Sequence, residues 1–76
     1  MKYINFGLNP LDEFPIKLLS CTNLEHINMS LNNIKSLPIE ITNLKKLKIL
    51  DITRCPISKS DSVLKKLKNN GVKLIL

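Results

Sequence analysis

The chain has no alanine and no tryptophan, and only one arginine, one histidine, two glycines and two cysteines among its 76 residues. Each scarcity excludes something. Without alanine or tryptophan, packing falls to branched aliphatic side chains, and leucine and isoleucine supply 24 of the 33 apolar residues. Two cysteines are too few for a disulfide scaffold. Cys21 and Cys55 are expected as buried thiols in a reducing cytoplasm. Gly7 and Gly71 alone make no phosphate-cradling loop. A lone His26, with no patterned cysteine or acid beside it, makes no metal site. No stretch approaches the roughly 20 apolar residues that a membrane span needs. Asn5, Asn9, Asp12 and Glu13 interrupt any apolar core of a signal peptide. The expected location is cytoplasmic, with no membrane partner, no metal and no cofactor.

Lysine is abundant. Eleven lysines and the one arginine outweigh six acids, for a net charge of +6. That balance admits an acidic partner. Nucleic acid is not expected, because arginine, the preferred fork for phosphate and base edges, is nearly absent. No aromatic residue interleaves with Lys45, Lys46, Lys65, Lys66 and Lys68 to stack on bases. An AT-rich coding profile accounts for lysine, isoleucine and asparagine rising together. The length sets one domain, 1–76, whose core can supply only about 3–5 kcal/mol. The 43 % apolar content excludes disorder.

Sliding the chain by 23 residues lays apolar on apolar. The first set is Met1, Ile4, Phe6, Leu11, Phe14, Leu18 and Cys21. The second is Leu24, Ile27, Met29, Ile34, Leu37, Ile41 and Leu44. The third is Leu47, Leu50, Ile52, Ile57, Ser60, Leu64 and Leu67. Twenty of these 21 slots are apolar, where the 43 % background gives about nine. Asn9 and Asn32 share a polar slot that Cys55 fills in the third set, and Pro15 and Pro38 share another. Apolar residues two apart (Ile4/Phe6, Ile27/Met29, Leu50/Ile52) send both side chains to one face of a strand. Wider spacing beyond the asparagine suits a helical or 3₁₀ return.

The run Leu24-x-x-Ile27-x-Met29-x-x-Asn32-x-Ile34-x-x-Leu37-Pro38-x-x-Ile41-x-x-Leu44 resembles the leucine-rich repeat, in the short bacterial 23-residue form with a Leu-Pro step. The resemblance covers nearly the whole chain. It implies an α/β fold: a short right-handed solenoid with a parallel, concave β-sheet, built from repeats at about 1–23, 24–46 and 47–70. Stacking one unit on the next covers an apolar face that no unit can cover alone. Asn9 and Asn32 are expected to bond backbone groups of adjacent turns, since an amide donates and accepts at once. Cys55 is a weak donor in the same slot. Pro15 and Pro38 fix φ where the return begins.

The third unit departs from the pattern. Ser60-Asp61 replaces Leu-Pro, and a helix is expected to follow, with Ser60 as N-cap, Asp61 in the first turn and Gly71 past the end. Val72, Leu74 and Leu76 then show strand spacing at an offset of 24, which predicts a terminal strand over 72–76. As an open apolar edge, Val72, Leu74 and Leu76 invite self-association, so a homo-oligomer is an expectation. The sequence leaves open whether the chain is whole or part of a longer array.

No catalytic constellation of nucleophile and base is present, and no enzyme is expected. What remains is a surface. The implied concave face carries columns one residue wide: Tyr3, His26 and Ile49; Asn5, Asn28 and Asp51; Leu8, Leu31 and Arg54. These mix apolar anchors with polar groups, as binding surfaces do. The expected function is a non-catalytic module that binds a partner protein through this face. The alternatives are a self-assembling structural homo-oligomer and a small immunity- or antitoxin-like inhibitor of another protein.

Overall fold

A computed structural model describes residues 1–76. Four three-residue strands run in chain order: β1 (Tyr3–Asn5), β2 (His26–Asn28), β3 (Ile49–Asp51) and β4 (Lys73–Ile75). They form one parallel sheet in the order β1-β2-β3-β4. The first two crossovers return through 3₁₀ segments, Ile16–Ser20 and Ile39–Asn43. The third returns through a true helix, α1 (Ser62–Asn69). The 23-residue offset holds between β1, β2 and β3 (Ile4↔Ile27↔Leu50), and the extra residue of the third unit gives 24 between Leu50 and Leu74.

The period-two pattern places Ile27, Met29, Leu50 and Ile52 beneath the sheet, where they are buried. Leu37, Ile41 and Leu44 meet them from the 3₁₀ side, and Leu64 and Leu67 from α1. Each fully buried leucine or isoleucine contributes roughly 1.5–3 kcal/mol over its exposed state. Pro15 (φ −71°) and Pro38 (φ −67°) stand just before the 3₁₀ segments, as their fixed φ requires. Thr42 is the one buried hydroxyl, and it donates to the Ile39 carbonyl at 2.7 Å.

Three expectations need correction. The N-cap of α1 is Asp61, not Ser60: its Oδ1 accepts from the Val63 N–H at 2.8 Å. A carboxylate in that place also meets the positive end of the helix. Val72 is not an exposed edge residue. Its N–H closes the helix by donating to the Leu67 carbonyl, Gly71 turns the chain at φ +91°, and the Val72 side chain drops into the core. The ladder therefore covers Lys73–Ile75 only, with Leu74 half-buried and Leu76 exposed. Finally, Cys21 and Cys55 are half-buried rather than buried, and both are free thiols.

Candidate partner-binding face

The outer face of the sheet is built from residues that alternate with the core positions. The strand register sets Tyr3, His26, Ile49 and Lys73 side by side, and Asn5, Asn28, Asp51 and Ile75 beside one another. Both columns of the sequence reading are present, each extended by a fourth member. Lys73 and Ile75 were legible too, by applying the 24-residue offset to Ile49 and Asp51. Tyr3 and His26 stack edge to face, with centroids 4.7 Å apart and planes at 82°. This geometry suits the ring quadrupoles. At the start of the strands Lys48 Nζ lies 3.3 Å from Glu25 Oε1, an exposed lysine on a half-buried glutamate, a pair of small energetic weight.

The second column does more than face outward. Asn5 Oδ1 accepts from Gly7 N–H at 2.9 Å. Asn28 Oδ1 accepts from both Ser30 N–H and Ser30 Oγ–H, and Asp51 Oδ1 from Thr53 N–H and Thr53 Oγ1–H. These are Asx turns that close the end of each strand. One side-chain oxygen is thereby committed to the fold, and the other polar atom of each residue is left toward solvent. The signal was available: Asn or Asp stands two residues before Gly, Ser or Thr in all three units.

Beyond each Asx turn the chain passes through the left-handed region, at Leu8 (φ 62°), Leu31 (φ 60°) and Arg54 (φ 61°). This is the third column of the sequence reading. A non-glycine residue there costs about 1 kcal/mol or more, and asparagine or glycine is the usual occupant. Burial offsets little of this at Leu8, which is 79 % exposed, and only part of it at Leu31, which is 44 % exposed. Arg54 is exposed as well.

The next residue is the shared polar slot. Asn32 is 3 % exposed and fully engaged. Its Nδ2 donates to Met29 O at 2.9 Å, to Phe6 O of the preceding unit at 3.1 Å and to Ser30 O at 3.3 Å. Its Oδ1 accepts from the Leu11 N–H at 3.3 Å. Asn9, beside the first strand of the sheet, bonds only Phe6 O and Gly7 O, within its own turn. Cys55 Sγ–H donates to Met29 O at 3.0 Å, the same cross-unit carbonyl position that Asn32 takes at Phe6. The slot thus holds adjacent units together at Asn32, as expected, and at Cys55, whereas the cross-unit bond expected of Asn9 does not form.

The face offers no reactive pair. His26 meets Tyr3 rather than a nucleophile, and no group of three His, Cys, Asp or Glu side chains comes together. No helix is long and apolar enough to cross a membrane.

A sequence model of leucine-rich repeats (two copies) matches residues 22–69. No curated protein and no solved structure gives a significant match. The match spans most of the chain, and the parallel strands, the 23-residue register and the bonded asparagine slot agree with it. The chain belongs to the leucine-rich repeat family, whose domains generally mediate protein–protein interactions.

Proposed function

We propose that this chain is a non-catalytic binding module that takes a partner protein on the outer face of its sheet. The observation that carries the reading is the pair Leu8 and Leu31. Both sit at positive φ, where leucine is disfavoured, and both are exposed. Neither propensity nor core packing accounts for leucine twice at these positions. Strained backbone that bears exposed apolar side chains is characteristic of contact sites. Tyr3, half-buried Ile49 and Ile75 extend the apolar surface along the sheet, while Arg54, Asp51 and Asn28 supply polar contacts beside it. Such a mixture suits an interface with a few apolar anchors in polar surroundings.

The test exploits the strain. Asparagine tolerates the left-handed region, so Leu8→Asn with Leu31→Asn should hold or raise stability by up to about 1 kcal/mol. The same double variant should lose affinity for the partner captured from the native host by the unaltered chain. Retained affinity would contradict the assignment of the face. A large loss of stability would show instead that the leucines serve the fold.

A further inference from the structure

A second surface adjoins the outer face of the sheet at its β4 edge, where Lys73 borders both. A groove of about 480 Å³ runs between α1 and β4. Its floor is apolar, made by Leu64, Val72, Leu74 and Leu76. Its rim is Lys59, Lys65, Lys68 and Lys73, all exposed, and no acidic side chain lines it. None of these four lysines is in an ion pair, since the single salt bridge of the chain is Lys48–Glu25. Residues 47–76 carry seven cationic and two anionic side chains, and four of the seven cations line this groove. Four unpaired ammonium groups around an apolar floor select for an anionic, partly apolar occupant.

The backbone defines the occupant further. The Lys73 N–H donates to Lys48 O at 2.7 Å, and the Ile75 carbonyl accepts from the Ile52 N–H at 2.8 Å. Alternate residues of a strand turn their peptide groups to opposite sides, so the N–H and C=O of Leu74 point away from β3, toward the groove. β4 stands last in the sheet order, and an edge of this kind accepts an added strand. We propose that the groove receives an extended acidic segment of a partner protein, in which apolar residues alternate with aspartate or glutamate. Its backbone pairs with Leu74, its apolar side chains settle on the leucine floor, and its carboxylates meet the lysine rim.

A second copy of this chain fits the groove poorly. Two such rims brought together would oppose lysine to lysine. Head to tail, the β1 edge of a second copy carries Lys2, and its acids Asp12 and Glu13 fall in the slots of Ser58 and Lys59, leaving Lys65 and Lys68 unanswered. The proposal is independent of the outer-face assignment.

Titration of the 76-residue chain with a short synthetic peptide alternating valine and glutamate, read by fluorescence anisotropy, tests it. The expected result is saturable binding that K65E/K68E weakens at least about tenfold. Methylating the peptide's pairing amides should abolish binding, and Lys17→Glu, an exposed charge change in the first repeat, should leave it unchanged. Both lysines are exposed, so the variant should keep the circular dichroism spectrum of the parent. Several results would overturn the proposal: no binding, no effect of K65E/K68E or of methylation, or equal binding of polyglutamate or oligothymidylate. A self-associated chain that the peptide cannot displace would also overturn it, by placing a second copy in the groove.

Discussion

The first and second repeats share one pattern and differ in what the pattern gives them. All seven apolar slots of the second repeat, from Leu24 to Leu44, are buried. In the first repeat only Phe14 is buried: Ile4, Phe6, Leu11, Leu18 and Cys21 are half-buried, and Met1 is 62 % exposed. The polar slot follows the same rule, with Asn32 bonded across units and Asn9 bonded only within its own turn. The second repeat has a neighbour on each side, and the first has a neighbour on one. Slot by slot, an identical residue type is worth what its neighbours make of it, as the nearest-neighbour energetics of repeat proteins require.

The widest gap should appear in the core. Ile27→Ala removes a side chain with no exposure and should cost about 2–5 kcal/mol. A loss of that size consumes most of the stability available to a domain this small, so the urea transition should vanish or move near zero denaturant. Ile4→Ala, at the paired position of β1, should cost about 1–2 kcal/mol and leave a clear transition. Next is the asparagine slot. Asn32→Ala strands the Leu11 N–H and three carbonyl contacts and should cost about 2–3 kcal/mol; Asn9→Ala should cost under about 1 kcal/mol, by the same urea titration.

Gly7→Ala examines the seam between the two repeats. An added Cβ would stand 3.0 Å from both the Ser30 carbonyl and Ser30 Oγ. Prying β1 from β2 there should cost about 1–2 kcal/mol, visible as a lower thermal midpoint. The smallest change runs the other way. The Ile34 N–H, in a residue with no exposure, lacks the partner that the Leu11 N–H finds in Asn32 Oδ1, because Cys55 offers no amide oxygen. Cys55→Asn should supply it and raise stability by about 1 kcal/mol.

Much of this was written in the sequence. Apolar residues two apart fixed which faces of β1 to β3 are buried, and the offsets of 23 and 24 set every strand register. The proline and asparagine slots marked the returns and turns. The misses have physical reasons. Ser60, Asp61 and Ser62 are all N-cap residues in a row, so composition alone does not say which one caps α1. Leu8 and Leu31 hid the left-handed positions, which are ordinarily read from glycine or asparagine. The roles of Asn5, Asn28 and Asp51 in closing turns were masked by their place on the outer face. Strand spacing puts Val72 on an edge because it does not reveal that a helix cap turns that residue inward. The uneven burial of the first repeat follows from neighbours, which no pattern within the repeat encodes.

Native-state amide hydrogen exchange at two equivalent residues tests the neighbour rule most directly. The Met29 N–H bonds to Asp51 O at 3.0 Å, and the Phe6 N–H bonds to Asn28 O at 2.9 Å. The local bonds are alike, and only the flanking repeats differ. Met29 should exchange only through global unfolding, with a protection free energy equal to that from urea titration, while Phe6 should open locally and exchange at least about tenfold faster. Equal protection at both amides would mean that the chain unfolds as one unit irrespective of neighbours, and would contradict the account.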